Sequence, residues 1–221
     1  IKVATSGGVI SPRSNPRHAH FRPDELDMLV AEATAAGRFV MAHAQGNPGI
    51  RNAVAAGIRS IEHGIYLDDE VIEMMLDAGT FLVPTLIAPL GVLEAVDRGL
   101  DLPDFVVAKA TEVVEVHRAS VQQAMAAGVP IAMGTDSGVT PHGENLRELR
   151  EMAALGMTPI DVLRSSTSVA ADLLGIADEV GTVEPGKVAD LVVWDGDDLD
   201  VSDMRSRLST VVQSGRVVAR D

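Results

Sequence analysis

Three side chains that commonly bind metal ions each lie close behind an apolar stretch of the sequence. They are His43, His63 and Asp136, and Lys2 lies within the apolar stretch that opens the chain. Imidazole nitrogens and a carboxylate oxygen suit Zn²⁺ or a similar divalent ion. Such an ion lowers the pKa of a coordinated water to about 7, and a nearby carboxylate can take the proton. The residue types therefore predict a hydrolytic metal centre.

Each of these residues also has a structural interpretation. A histidine after a strand is commonly held by hydrogen bonds alone, and Asp136, in a Gly-Thr-Asp-Ser run, could cap the next helix. Lys2 could be a solvated surface charge. Position alone leaves both interpretations open. What favours a metal site is that three potential ligands follow three different strands in a chain with only six histidines.

Four other side chains are candidates for binding a substrate. Gln45 and Tyr66 lie just beyond the two histidines and could donate hydrogen bonds to the substrate or to an oxyanion. His142 follows Asp136 closely enough to reach the same cavity. Arg13 could pair with a substrate carboxylate, although an ordinary surface arginine is an equally good interpretation.

The elements that must position these residues alternate between short apolar strands and helices that mostly end at glycine. The longest helix carries His117, which we expect to be exposed because its neighbours are polar. Strands are predicted at 1–5, 38–42, 59–62, 80–84 and 129–134, and helices at 23–36, 50–56, 68–78, 104–127, 144–154, 159–165 and 168–174. This alternation favours a parallel sheet with helical crossovers.

The number of strand–helix units is about half of a (β/α)8 barrel, which typically needs about 250 residues. An open doubly wound sheet is the alternative, but no G-x-G-x-x-G run follows a strand, so nothing supports dinucleotide binding. Residues 181–195 and 209–218 have strand–turn–strand patterns without a helix. We therefore predict an α/β fold with half of a barrel at 1–179 and part of a small β domain at 180–221.

Composition excludes several classes of function. The net charge of −14 disfavours binding to nucleic acids and to anionic membranes, and no apolar run approaches the roughly 20 residues that span a bilayer. Without cysteine, a metal must be held by histidine, carboxylate or modified lysine. The chain opens inside a strand, so we expect a separate N-terminal part. A cytoplasmic location is expected, and a homo-oligomer is left open.

Five short motifs, in order along nearly the whole chain, resemble the amidohydrolase superfamily, and within it the imidazolonepropionase-like and Xaa-Pro dipeptidase-like group. The matching segments are Ile1-Lys2 with Gly7-Gly8-Val9, His43-Ala44-Gln45-Gly46, Ser60-Ile61-Glu62-His63-Gly64, Gly134-Thr135-Asp136-Ser137 and Gly186-Lys187-Val188-Ala189-Asp190-Leu191. The resemblance implies a (β/α)8 metal-dependent hydrolase barrel, of which this chain covers about strands 4–8, and a small C-terminal β segment.

The resemblance also implies a role for each candidate ligand. Lys2 corresponds to a lysine that is carboxylated and bridges two divalent metal ions, expected to be zinc. His43 and His63 correspond to ligands from the next two strands, and Asp136 to a carboxylate that binds metal and shuttles the proton. His63 and Asp136 are thus the expected catalytic residues. A lysine reacts with CO₂ as the neutral amine, which burial favours, so an exposed Lys2 would not be carboxylated.

One departure from the family pattern is clear. The pattern begins with a His-x-His pair on the first strand, and no such pair precedes Lys2. His18 and His20 have the right spacing but lie in a loop after the lysine, so we do not take them as equivalents. The resemblance therefore implies a missing N-terminal half of the barrel as a partner.

The expected activity is hydrolysis of an amide or peptide-like C–N bond by a metal-activated hydroxide. The expected substrate is a small molecule such as a dipeptide or an N-acyl amino acid, which bears a carboxylate. Two alternatives stay open: a cyclic amide, lactone or phosphoester cleaved on the same centre, and a non-catalytic fragment or scaffold with an incomplete metal site.

Overall fold

The computed structural model describes residues 1–220 and contains a parallel sheet at its centre. Its strands are β1 (Lys2–Ala4), β2 (Met41–Ala44), β3 (Ser60–His63) and β4 (Phe81–Val83), paired in that order. Residues 130–132 continue the sheet beside β4, because Ile131 pairs in parallel with Leu82 and backbone hydrogen bonds flank that bridge. Five parallel segments joined by helices confirm the predicted partial barrel.

Eight helices accompany this sheet within the described residues. They are α1 (Pro23–Ala35), α2 (Asn47–Ala55), α3 (Asp69–Ala78), α4 (Ile87–Asp97), α5 (Asp104–Ala127), α6 (Leu146–Ala154), α7 (Pro159–Ser165) and α8 (Ser168–Leu174). Local chemistry explains several boundaries. Proline is the first residue of α1, the Asp68 carboxylate accepts the Val71 amide at 2.9 Å at the start of α3, and left-handed Gly128 ends α5.

Helix α4 is the element that the sequence pattern did not predict. Its sequence is apolar on nearly every side and contains Pro89 and Gly91, both of which are buried. Such residues weaken the periodic signal of a helix, and the surrounding protein supplies the stability that propensity does not. The segment between residues 84 and 104, for which the sequence pattern predicts no element, is therefore mostly helical.

The two faces of the parallel sheet differ in exposure. Ala42, Ala44, Ile61 and Leu82 are fully buried in one cluster with residues from α2 and α3. The alternate residues of the first two strands, Lys2, Ala4 and Met41, are exposed. Because successive side chains of a strand point to opposite faces, these exposed residues line the inner side of the partial barrel.

The C-terminal residues form a second, antiparallel sheet. Its strands are β5 (Leu191–Trp194), β6 (Leu208–Gln213) and β7 (Arg216–Arg220), and Ser214 and Gly215 form the turn between β6 and β7 with φ values of 48° and 77°. The predicted strand–turn–strand at 209–218 is confirmed. The same pattern at 181–195 is wrong in its first half, where a single strand begins only at Leu191.

The small sheet is joined to the rest of the chain by packing. Val201 and Met204, between β5 and β6, are buried in the main core cluster, and Trp194 packs against it. The predicted domain boundary at residue 180 stays a prediction. Within the described residues, no helix is both long enough and apolar enough to cross a lipid bilayer.

Candidate active site

A cavity of about 360 Å³ lies at the carboxyl ends of β1, β2 and β3. Because the strands are parallel, the side chains that follow them converge at this edge. Five of the predicted site residues line the cavity. They are Lys2, His43, Gln45, His63 and Asp136.

His43 lies within β2, not after it as the sequence pattern predicted. The strand starts only at Met41 because pairing begins where Met41 faces Lys2 of β1. The same register places His43 beside Ala4, on the inner face. Its Nε2 atom lies 3.2 Å from the carbonyl oxygen of Gly7.

His63 is the last residue of β3 and has an unusual backbone conformation. Its pairing with Ala44, which is buried on the helix side, would direct the imidazole away from the cavity if the strand continued regularly. A φ of 78° breaks this alternation. The ring lines the cavity and its centroid is 4.6 Å from that of His43. A left-handed non-glycine residue costs about 1–3 kcal/mol, and such strain is concentrated at functional sites.

The hydrogen bonds of the two imidazoles leave a different nitrogen available on each ring. Nε2 of His43 donates to the Gly7 carbonyl, which leaves Nδ1 with the lone pair. Nδ1 of His63 lies 2.7 Å from the Thr85 hydroxyl, and with Nδ1 as the donor of this bond Nε2 keeps the lone pair. The Gly7 carbonyl can only accept, which assigns the tautomer of His43, and for His63 we infer that Nδ1 is the donor. An oriented ring with one unprotonated nitrogen is what a metal ligand requires.

Burial keeps both imidazoles neutral. It is the largest cause that lowers the pKa of His43, and it lowers the pKa of His63 well below the ordinary value. The neighbouring imidazole of His43 lowers the pKa of His63 further. Glu62, which faces the same side of the sheet as His43 by register, is a buried carboxyl group whose pKa burial raises to about 6.

The described residues meet the requirements of a metal centre only in part. The two oriented, neutral imidazoles are suitable donors, and Lys2 and Asp136 line the same cavity. Among residues 1–220, however, no three His, Cys, Asp or Glu side chains come close enough together to hold a metal ion. Lys2 is exposed, so the described residues do not provide the burial that carboxylation of this lysine needs. The predicted four-ligand set stays a prediction.

Gln45 has an unpaired polar atom at the cavity. Its backbone amide donates to the Ser6 hydroxyl at 2.8 Å, and its side chain is buried. Within the described residues, its Oε1 atom has no hydrogen-bond partner. Because an unpaired buried oxygen is unfavourable, this atom is a candidate to accept a hydrogen bond from a ligand. An accepting role differs from the donor role predicted from position.

The other three predicted substrate residues are not part of the cavity wall. Tyr66 lies in a neighbouring cleft, where its hydroxyl donates to Glu112 at 3.2 Å and the Arg17 guanidinium lies 4.1 Å from its ring centroid. Arg13 and His142 are exposed and do not line the cavity. Their roles in substrate binding stay predictions.

The expectation that His117 is exposed is wrong. His117 is 1% exposed, lines the cavity and has a pKa that burial lowers to about 4. The signal was present in the sequence, because His117 lies on the buried stripe of α5 at helical spacing from Val113 and Ala124. The sequence pattern carries no signal for Thr85, and it places His20 in a loop outside the site. The loop after β1 returns to that strand through the pairing of Ser6 with Ala19, which brings His20 to the cavity.

Comparisons with known proteins identify relatives over the whole described chain. Residues 1–219 match the family model described as "Amidohydrolase family". The chain is 36% identical over 202 residues to an ochratoxinase of Aspergillus niger and 35% identical over 181 residues to an imidazolonepropionase of Rhizorhabdus wittichii. These alignments cover 90% and 79% of this chain. The crystal structure of a Xaa-Pro dipeptidase with bound methionine in the active site superposes on the whole chain with a TM-score of 0.93 and 34% identity.

The chain spans about half the length of these relatives or less. It covers 41% of the ochratoxinase, 40% of the imidazolonepropionase and 54% of the dipeptidase. The similarity therefore extends across this chain but not across the complete relatives.

Proposed function

Because the chain belongs to the amidohydrolase family, we propose that the full-length protein hydrolyses an amide or peptide-like C–N bond. The observation that carries this proposal is a pair of neutral imidazoles at the edge where the parallel strands converge, buried His63 and half-buried His43, whose ring centroids lie 4.6 Å apart. Relatives named as a dipeptidase and an ochratoxinase support hydrolytic chemistry. We propose a dipeptide or N-acyl amino acid as the substrate, with Arg13 as the partner of its carboxylate.

His43 and His63 would hold divalent metal, with Asp136 and carboxylated Lys2 as further ligands. We propose two zinc ions, and when bound they would acidify water and polarise the scissile carbonyl. Other parts of the full-length protein would have to supply the His-x-His pair and cover Lys2. The Lys2 ammonium would otherwise keep its proton and could not form a carbamate.

Other residues of this chain would then have separate roles in the reaction. Asp136 would accept a proton from the attacking water and return it to the leaving nitrogen, which needs a carboxylate at the cavity. Gln45 would bind an N–H group of the substrate through its unpaired oxygen. The apolar wall, which includes Val9, Ile65 and Val92, would exclude water around the bond that is cleaved.

Metal content and activity together test this proposal. The full-length protein is expected to contain about two divalent ions and to cleave one class in a panel of dipeptides, N-acyl amino acids, cyclic amides, lactones and phosphoesters. Asp136→Asn should lower kcat at least a hundredfold, whereas Asp101→Asn, at an exposed position outside the cavity, should not. Lys2→Ala should lose one of the two ions. Unchanged activity in Asp136→Asn would remove Asp136 from the mechanism.

A non-catalytic role is the second candidate. One observation favours it: the described residues do not bring three histidine or carboxylate ligands together. Under this alternative the full-length protein would contain less than one ion per molecule and would cleave nothing in the panel. Cleavage of only a lactone, a cyclic amide or a phosphoester would instead mean that the same site hydrolyses a different kind of bond.

A further inference from the structure

One face of helix α5 binds the backbone of the loop that follows β3. His117 donates from Nε2 to the carbonyl oxygen of His63 at 2.9 Å. Ser120, three residues later on the same face, donates to the carbonyl of Ile65 at 2.6 Å and accepts the amide of Leu67 at 3.3 Å. Residues 63–67 are therefore held by α5 at their first, third and fifth positions.

The conformation at the start of this loop needs such support. His63 and Gly64 are both left-handed, with φ values of 78° and 62°, and only glycine adopts this conformation without strain. His63 is also buried, so its carbonyl oxygen requires a partner inside the protein. The His117 imidazole is that partner. A different backbone conformation at His63 would carry its ring out of the cavity.

Packing alone does not explain a histidine at position 117. Apart from Ser120, the other buried positions of α5, such as Val113 and Ala124, are apolar, and burying an imidazole is unfavourable unless it is hydrogen-bonded. The ring also faces the carbonyl of Pro84, the residue before Thr85. His117 thus contacts the backbone of His63 and the backbone beside the hydroxyl that orients the His63 ring. With carbonyls at its ring, His117 is poorly placed to be a metal ligand itself.

We propose that His117 is a positioning residue: it fixes the left-handed backbone of His63 and thereby the direction of the His63 imidazole. The inference rests on the proposed function, because orientation of His63 matters to catalysis only if His63 binds metal. The loop geometry itself is independent of that function and can be measured on metal-free protein.

Two variants and one control separate positioning from general destabilisation. His117→Ala removes the hydrogen bond, and His117→Gln keeps an N–H donor near the place of Nε2. Val121→Ala removes volume from a fully buried position on the same helix that belongs to the main core, not to the loop contact. All are compared in the full-length protein.

Amide hydrogen exchange of the metal-free protein is the first measurement. The amides of Gly64 and Tyr66 bond to β2 and its following residue. In His117→Ala they should exchange about tenfold faster relative to core amides, the factor expected for one lost hydrogen bond. His117→Gln and Val121→Ala should show less than a threefold change. Equal exchange in His117→Ala and wild type, or an equal increase in Val121→Ala, would overturn the inference.

Zinc affinity, measured by competition with a chelator, is the second measurement. His117→Ala should bind zinc about 10–100-fold more weakly, as is typical when support for a ligand is lost, while His117→Gln should recover most of the affinity. Unchanged affinity in His117→Ala would overturn the link to His63. If the wild-type protein binds no zinc, the proposed function fails, while the exchange measurement still decides whether His117 fixes the loop.

Discussion

The hydrogen bond between Thr85 and His63 offers a sharp test of how the site is oriented. Thr85 is 3% exposed, and its hydroxyl lies 2.7 Å from Nδ1 of His63, which is itself buried. Thr85→Val removes the hydroxyl and keeps both the shape and the branching of the side chain. Because φ at position 85 is 53°, the strain of a branched residue is present in both proteins and cancels.

The expected size of the effect follows from burial. Without the hydroxyl, the Nδ1–H of His63 is left without a partner in a buried place, which costs about 1–3 kcal/mol. The ring can avoid this cost by moving its proton to Nε2, but that nitrogen is then unable to bind metal. We therefore expect both a lower free energy of unfolding and a metal affinity reduced about 10–100-fold.

Urea unfolding of the metal-free protein and zinc competition provide the two measurements. Thr85→Ser, which keeps the hydroxyl, is the control: it should keep the metal affinity of the wild type, and its stability should change only by the loss of one buried methyl group, about 1 kcal/mol. In a His63→Ala background, Thr85→Val should cost no more than about 0.5 kcal/mol, since the partner is gone. A Thr85→Val protein with unchanged stability and unchanged affinity would show that this hydrogen bond does not set the tautomer of His63.

Three further outcomes follow from contacts around the cavity. Glu148 is fully buried, accepts two backbone amides at the start of α4, and has a pKa that burial raises to about 8. Because the pKa of Glu148 is higher in the folded than in the unfolded protein, the protonated carboxyl group contributes its full stability below about pH 4.5, and this contribution is lost as the pH rises through about 8. The Tm of the wild type should therefore fall over this range, and the Tm of Glu148→Gln should fall less. The ammonium of Lys109 donates to three backbone carbonyls of the loop after β1, and this loop forms one wall of the cavity. Lys109→Met should therefore raise KM more than it lowers kcat. The control Lys187→Met, far along the chain from the cavity residues, should change neither. A Cβ atom at Gly46 would collide with the backbone of Pro16, so Gly46→Ala should lower the free energy of unfolding by about 1–3 kcal/mol, and an unchanged urea midpoint would contradict this close approach.

The sequence was sufficient to predict which strands bring the principal residues together. Apolar stretches that end in histidine or aspartate imply side chains at the carboxyl edge of a parallel sheet, and His43, His63 and Asp136 lie at that edge, where the left-handed backbone of His63 turns its ring into the cavity. Gln45 followed from the same reasoning. Tyr66 did not, because three residues beyond β3 the loop has turned towards α5 and Glu112.

The residues missed by sequence analysis depend on contacts between distant segments. His117 is separated from His63 by 54 positions, and only the packing of α5 across the loop reveals their contact. Thr85 reaches His63 because two neighbouring strands end side by side. The backbone of His63 departs from strand geometry through long-range support, which local periodicity does not encode. For the same reason, apolar α4 carries no recognisable pattern of its own.

The left-handed residues at the strand ends have a consequence for attempts to make this protein more heat-resistant. His63, Thr85 and Asp136, with φ values of 78°, 53° and 51°, each carry strain of about 1–3 kcal/mol in a molecule whose net stability is of the order of 5–15 kcal/mol. Selection for thermal tolerance alone would favour glycine or asparagine at these three positions. Each such substitution would remove a side chain that faces the cavity or orients a residue in it. Thermal stability and activity should therefore be opposed at these positions more than elsewhere in the chain.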